Sequence, residues 1–199
     1  MTSAERTTFV AIAVLTTLGA AGPRAATLEG PQMVRRADAL DPPRVRTDDP
    51  ELKQVISQAT EWSATFRRLV EMIQRTDGIV FVQKGHCGHG VRSCLLLSVA
   101  VAGPNRLLRI FLDPRKSGED LVPSLGHELQ HAIEMLRNPA VVDAKSMYQF
   151  LHRTAVTLGG PTFETLAAIE AGMAVKGEIA RYRSQRAGEA GNGTGQRGR

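Results

Sequence analysis

The sequence predicts an α+β fold in which a small sheet of about three strands packs against several helices. Three patterns support this class: a helical apolar stripe at residues 52–73, short β-branched runs within 79–112, and renewed helical spacing from 121 to 184. The chain has 199 residues, of which 42% are apolar. That length and composition are sufficient for one domain with a buried core.

The first predicted helix begins after Asp49, an N-cap residue that a proline follows directly. Apolar side chains then recur at three- and four-residue steps over 52–73, which predicts one continuous amphipathic helix ending before Gly78. The preceding stretch, 23–48, mixes Pro, Arg and Asp without an apolar period. We interpret it as a linker or irregular arm.

Three strand candidates follow, at residues 79–82, 93–102 and 107–112, and Arg109 in the third is expected to face outward. The turn between the last two is short, which predicts an antiparallel hairpin. The sheet is therefore expected to be antiparallel or mixed.

Helices are predicted at 121–137, at 142–153 and from Pro161 to Ser184. Residues 185–199 are rich in Gly and Arg and predict a disordered basic tail. Five arginines and one acid from residue 181 onward carry +4 of the net charge of +5. Because the body of the domain is nearly neutral, we expect no nucleic-acid partner.

The first 22 residues have the pattern of an export signal. Arg6 precedes an uncharged apolar run at 9–22, which is shorter than the ~20 residues of a membrane span but fits a signal peptide. The alternative is a short uncleaved anchor, the only membrane contact that we expect. In an exported (periplasmic or extracellular) chain, Cys87 and Cys94 predict a disulfide, with free thiols or a metal-ligating Cys87 as alternatives.

The motif His127-Glu128-Leu129-Gln130-His131 lies in the middle of the amphipathic helix 121–137. Its two imidazoles are one helical turn apart on the same side, so both can bind one ion. Glu128 projects from the adjacent position and can reach a metal-bound water without being a ligand. The motif therefore predicts a metal-dependent hydrolase in which Glu128 is the general base.

The run SLGHELQHAIEML at 124–136 resembles the active-site helix of the zincin metallopeptidases, and the hairpin before it resembles the sheet of that superfamily. The resemblance implies a zincin-like fold over 49–184, a Zn²⁺ cofactor, and a peptide or protein substrate. It also implies that His127, His131 and one further residue bind the zinc. The metzincin subgroup is excluded, because Glu134 and Arg137 stand where its pattern has Gly and His.

A gluzincin-like arrangement, in which a Glu from a later helix is the third ligand, fits the predicted helix 161–184. Glu164 is the preferred ligand, because small Ala167 and Ala168 allow that helix to approach closely. Glu170 is the alternative, since about 120° of helix separates the two carboxylates and one ion does not use both. The Asn found beside this ligand in thermolysin-like enzymes is missing.

Other functions and residues stay open at this point. A zinc-stabilised or zincin-like binding domain without catalysis would fit a site closed by a fourth ligand such as His152. A protease that processes only itself or one partner is a further alternative. Tyr148 and His152 are candidates for stabilising an oxyanion, Glu134 is a candidate for orienting an imidazole, and His86 lies in a segment that can rim the cleft. No motif indicates an oligomeric state.

Overall fold

The computed structural model describes residues 42–88, 90–113, 115, 121–156 and 163–192, which all belong to one compact unit, Asp41–Arg199. The predicted export signal at 1–22, most of the predicted arm and residues 193–199 of the predicted tail lie outside the described residues. The fold that follows is that of the predicted domain and its immediate flanks.

The described residues form an α+β fold of five strands and five helices, which confirms the predicted class. The sheet has five strands rather than about three. In chain order the elements are β1 (Val45–Arg46), α1 (Pro50–Trp62), α2 (Ala64–Gln74), β2 (Gly78–Lys84), β3 (Ser93–Leu95), β4 (Ala100–Ala102), β5 (Asn105–Leu112), α3 (Leu121–Arg137), α4 (Ala144–Thr154) and α5 (Leu166–Asn192).

The sheet is mixed, with the order β1-β2-β5-β3 and with β4 also paired to β5. Strands β1, β2 and β5 run parallel, whereas β3 and β4 are antiparallel to β5. The predicted hairpin is therefore confirmed, but its first strand is divided into β3 and β4, because the Ser98 N–H donates locally to the Leu96 carbonyl. Strand β5 lies inside the sheet, and β3 lies at its edge.

The end of the predicted arm is a strand, so its interpretation as irregular through residue 48 is wrong there. Val45 pairs with Val80 of β2, and the neighbouring Arg44 donates from its backbone to Gln74 and from its side chain to Asn105. A two-residue strand is too short to show an alternating pattern. Its pairing partner, 35 positions away, decides the structure of this segment.

The single helix predicted over 52–73 is two helices that meet at Ser63. Ser63 has extended backbone angles, and its hydroxyl accepts from the Phe66 N–H as the cap of α2. Glu178 of α5 accepts from the Ser63 hydroxyl and from the backbone and hydroxyl of Thr65. The break is stable because a carboxylate from a distant helix satisfies the polar groups that it exposes.

Helix α5 begins at Leu166 and ends at Asn192, whereas the sequence predicts 161–184. Thr165 caps its start by accepting from the Ala168 N–H. Near its end Tyr182 stacks on Trp62 of α1 with ring centroids 5.4 Å apart. The predicted disordered tail is therefore helical as far as Asn192.

Helix α3 lies at the centre of the domain, between the sheet and helices α2 and α5. The predicted core positions Leu125, Leu129, Ala132 and Ile133 are buried, and so are the polar side chains of Glu128 and His131. A helix enclosed in this way holds its polar side chains at fixed positions relative to both neighbouring layers. No helix of the described residues is long and apolar enough to cross a membrane.

The predicted disulfide between Cys87 and Cys94 is present, with Cα atoms 5.8 Å apart. It joins the segment after β2 to edge strand β3. The two alternatives, free thiols and a metal-ligating Cys87, therefore do not apply.

Candidate metal centre

Three side chains that the sequence proposed as metal ligands converge in the structure: His127 and His131 of α3, and Glu164 just before α5. The Nε2 atoms of the two histidines are 3.1 Å apart. Glu164 Oε2 lies 3.0 Å from His127 Nε2 and 4.0 Å from His131 Nε2. No other His, Cys, Asp or Glu of the described residues belongs to this group.

The separations among these three atoms fit a zinc ion. The point equidistant from atoms 3.0, 3.1 and 4.0 Å apart lies about 2.0 Å from each of them. Zinc binds imidazole nitrogen and carboxylate oxygen at about 2.0–2.2 Å. Two imidazoles and one carboxylate also form a donor set typical of zinc sites that keep a position open for water or substrate.

The outer side of each imidazole has a partner within the protein. His131 Nδ1 lies 3.2 Å from Glu134 Oε2, so that nitrogen carries the proton and Nε2 offers its lone pair to the centre. The backbone of Ala168 lies beside the His127 ring and helps to raise its pKa. Metal-ligating histidines typically donate their second ring N–H to a carboxylate or a backbone carbonyl, and His131 follows that rule.

Electrostatics favour a cation at this position. Burial lowers the pKa of His127, but the hydrogen bond to Glu164 and the charges of Glu128 and Glu164 outweigh burial, so the pKa is raised. The side chains of His131, His127 and Glu164 are 6%, 20% and 24% exposed. A mostly buried group of this kind therefore attracts positive charge while remaining accessible from one side.

Glu164 lies in an extended segment, two residues before α5, and not in the first turn of a helix as the sequence predicts. The Val156 N–H donates to the Glu164 carbonyl across an isolated β-bridge. The adjacent Thr165 hydroxyl donates to Glu134 Oε1 at 2.8 Å. Thr165 and Glu134 thus link the segment that carries Glu164 to the His131 ring. Thr165 and Glu134 are 31 positions apart, so their contact cannot be read from a local sequence pattern.

Two glycines bring α3 and α5 close enough for this contact. A Cβ atom on Gly126 would lie 2.9 Å from the Val175 side chain, and one on Gly172 would lie 3.3 Å from the His127 Cβ. The absence of both side chains lets the two helix backbones approach. Sequence reasoning assigned no role to either glycine.

Glu128, the predicted general base, is 7% exposed and borders the cluster. The Ser93 hydroxyl donates to its Oε1 at 2.9 Å, and the Leu95 N–H donates to its Oε2 at 2.7 Å. Both donors belong to edge strand β3. The strand therefore fixes the Glu128 carboxylate beside the three ligand atoms.

The cluster opens into a cleft formed by two adjoining cavities of about 280 and 480 Å³. Both cavities are lined by Ser93, His127, Glu128 and Glu164. A molecule in either cavity can therefore reach the ligand atoms and the Glu128 carboxylate.

Other residues proposed from the sequence lie away from the cluster. Glu170 is exposed on α5, and His152 is exposed on α4 with its ring 6.0 Å from that of Tyr148. Neither belongs to the group of converging ligand atoms. His86 is 61% exposed and contacts the buried Asp113 carboxylate, so it packs outside the cluster. Glu134 does contact an imidazole, as proposed.

Comparisons of the chain with protein-family models, with curated proteins and with solved structures found no match.

Proposed function

We propose that this protein is an exported zinc-dependent hydrolase of the zincin type that cleaves peptide bonds, with Glu128 as general base. The observation that carries the proposal is the convergence of His127, His131 and Glu164 at zinc-binding separations. The buried Glu128 carboxylate and an accessible cavity adjoin the same three residues.

His127, His131 and Glu164 would hold the ion and leave its remaining position toward the cleft. When bound, zinc supplies a Lewis acid and lowers the pKa of a coordinated water to about 7. The orientation of the His131 ring is set in advance, because Glu134 contacts its second ring nitrogen.

Glu128 is the residue to which we assign proton transfer. Its carboxylate accepts one proton from the attacking water and gives that proton to the departing amine nitrogen, so the carboxylate is regenerated at the end of each turnover. Ser93 and Leu95 orient the carboxylate through their two hydrogen bonds. These donors keep the base within reach of the ligand cluster.

We place an extended substrate along β3, at the edge of the sheet. Strand β5 has pairing partners on both sides, whereas β3 pairs only with β5 among the described strands. The Leu96 N–H donates to Arg109 of β5, and the Leu95 N–H points the other way, toward Glu128. Because the Leu95 N–H is bonded to Glu128, strand addition at this edge would use the other outward-facing backbone groups of β3.

A closed structural zinc site, the main alternative, has less support. Such sites have four protein ligands, and the converging group contains three. The proposed fourth ligand, His152, is exposed and contacts Tyr148. Export is included in the proposal because disulfides such as Cys87–Cys94 persist in oxidising compartments.

The first test is the metal content of the full purified chain, with zinc and iron offered together, beside Glu164→Ala and Glu170→Ala. We expect about one zinc per parent chain, loss of zinc in Glu164→Ala, and retention in Glu170→Ala. Each substitution removes one carboxylate at or near the start of α5. The comparison therefore separates the loss of a metal ligand from the general loss of one negative charge. No zinc in the parent, or iron in its place, would contradict the proposal.

The second test is Glu128→Gln, which keeps the shape of the side chain and removes its basicity. We expect zinc content to remain at the parent level while hydrolysis of an unstructured protein such as casein falls at least ~100-fold. A variant that kept full activity would overturn the role of Glu128. A parent chain with zinc and no activity on any peptide would favour the binding-domain or dedicated-processing alternatives.

A further inference from the structure

The Cys87–Cys94 disulfide lies beside the two hydrogen bonds that hold Glu128. Cys94 is the middle residue of β3. Its neighbours in the strand, Ser93 and Leu95, donate to the Glu128 carboxylate at 2.9 and 2.7 Å. Side chains alternate along a strand, so the disulfide restrains one face of β3 while Ser93 contacts Glu128 from the other. The covalent bond is therefore one residue away from each donor.

Backbone pairing ties β3 to one neighbour only. The strand has three residues, and among the described strands it pairs with β5 alone. The connection before it turns at Gly88 and Gly90, whose φ angles of 72° and 73° lie in the left-handed region that glycine adopts readily. Glycine also has the greatest conformational freedom in an unrestrained chain. A short edge strand after such a connection needs a further restraint to keep a fixed position.

The disulfide supplies that restraint from a part of the sheet that is fixed independently. Cys87 follows β2, a seven-residue strand with pairing partners on both sides. The Gly85 N–H donates to the Leu112 carbonyl of β5, so the chain is still attached to the sheet two residues before Cys87. The bond between Cys87 and Cys94, with Cα atoms 5.8 Å apart, extends this attachment to the middle of β3.

The metal ligands are held by contacts of a different kind. His127 and His131 lie on α3, and Glu164 is linked to that helix through Thr165 and Glu134. These contacts join α3 to the segment before α5 and do not involve β3. A change in the position of β3 therefore affects the orientation of the proposed base before it affects the ligand atoms.

We propose that the Cys87–Cys94 disulfide is a positioning element for Glu128, so that the chain reaches full hydrolytic activity only after this bond has formed. The inference rests on the proposed hydrolase function and concerns its regulation. When the bond forms, the two thiols lose two electrons and two protons to an oxidant of the disulfide class, which becomes a dithiol. The chain with two thiols binds zinc but holds its base loosely. Hydrolysis is thereby confined to oxidising compartments, where disulfides persist.

The first test compares the zinc-loaded full chain with Cys87→Ser/Cys94→Ser on fluorescein-labelled casein. We expect the zinc dissociation constant and KM to stay within ~3-fold of the parent. The kcat should fall ~10- to 100-fold, because a small misplacement of a catalytic group is sufficient for such a loss. Glu178→Gln, which removes the charge that joins α5 to α2 away from β3, should keep the kcat of the parent. A disulfide-free chain with the kcat of the parent would overturn the proposal.

The second test asks whether the disulfide acts through Glu128. In a double-mutant cycle, replacing both cysteines in Glu128→Gln should change its residual kcat by less than ~3-fold, since no base is left to be positioned. A further fall as large as that seen in the parent background would show that the disulfide acts on the domain as a whole. That result would contradict a positioning role.

Reduction of the folded parent provides the same comparison in case the serine variant does not fold. Both cysteines are half-buried and line the smaller cavity beside the ligand cluster, so a reductant that enters the cleft reaches them. A phosphine reduces the disulfide to two thiols while it takes up the oxygen atom of a water molecule, and it adds no competing thiol ligand for zinc.

We expect kcat to fall by the same factor on reduction, with zinc retained, and to recover when the disulfide is formed again. Titration of two thiols per chain confirms the reduction. Loss of zinc on reduction, or full activity of the reduced chain, would contradict the proposal and leave the hydrolase proposal intact. A parent chain with neither zinc nor activity would instead remove the hydrolase proposal together with this one.

Discussion

Two buried polar clusters lie along helix α3, and they are built on opposite principles. At its C-terminal end, Arg106 donates to both Asp77 oxygens and to the carbonyls of Met135, Leu136, Asn138 and Val141. In its middle, His127, His131 and Glu164 direct three potential acceptor atoms at one point. The first cluster is a guanidinium surrounded by acceptors, and the second is a set of acceptors arranged around a position for a cation.

Both clusters are buried, and they differ in whether the protein itself supplies the charges and hydrogen-bond partners that burial requires. Arg106 is 6% exposed and satisfies the last carbonyls of α3, so the protein itself supplies every charge that the cluster needs. The His127 group would gain most of its favourable interactions from an added ion. We therefore expect the stability of the first cluster to be independent of metal and that of the second to depend on it.

The largest expected effect is at the Arg106 cluster. Arg106→Met should lower the free energy of unfolding by about 3 kcal/mol or more, because it leaves buried carbonyls without donors. Urea denaturation measures the loss. Arg109→Met, at an exposed position of the same strand, should change the free energy by less than ~0.5 kcal/mol. If a chelator changed the loss of unfolding free energy caused by Arg106→Met, the two clusters would not be independent.

Zinc itself should have the next largest effect. A free zinc concentration about 100 times the dissociation constant is expected to stabilise the folded chain by about 2.7 kcal/mol. Thermal unfolding with zinc and with a chelator measures the difference. His131→Ala should abolish it, whereas His152→Ala, at an exposed position outside the cluster, should retain it. Equal responses of these two variants would contradict the site.

A smaller effect is expected for Glu134, which we place as a positioning residue through its contact with His131 Nδ1. Glu134→Ala should weaken zinc binding by about 10- to 100-fold, and Glu134→Gln should recover part of that loss because an acceptor returns. Competition with a chromophoric chelator gives the affinities. Gln130→Ala removes a donor to Glu134 without touching His131, so it should change the affinity less than ~3-fold. If Glu134→Gln weakened zinc binding as much as Glu134→Ala, Glu134 would act only through its charge.

The smallest effect concerns Glu178, which joins α5 to the start of α2 and lies outside both clusters. Burial raises its pKa, but hydrogen bonds from Ser63 and Thr65 outweigh burial and lower it. A folded pKa below the ordinary 4.5 means that its stabilisation is complete above that pH and is lost as the pH falls through the folded pKa. Glu178→Gln should therefore cost about 1–2 kcal/mol at pH 7 and less at pH 3.

Urea denaturation at the two pH values measures the Glu178 effect, and Glu170→Gln is the matched control on the same helix. Glu170 is exposed, so its replacement should cost less than ~0.5 kcal/mol at either pH. If Glu178→Gln lowered the free energy of unfolding equally at pH 3 and pH 7, the charge of Glu178 would contribute nothing to stability.

Several features of the fold and site are predictable from short-range patterns in the sequence. The motif His127-Glu128-x-x-His131 and its helix follow from a 3.6-residue period, because residues four apart share one helix face. The pairing of Cys87 with Cys94 follows from there being two cysteines in a chain that has an export pattern. The α+β class and the hairpin follow from the order of the periodic segments and the short turn between strands β4 and β5.

Local backbone geometry alone places the two histidines and Glu128 on one helix, because residues one and four positions apart have fixed directions on it. The packing of whole elements decides that Glu164, not Glu170, meets them, that β3 lies at an edge of the sheet beside Glu128, and that the first predicted helix is divided at Ser63. These features depend on contacts between residues 15 or more positions apart. Such contacts arise when whole elements pack, so no local period encodes them.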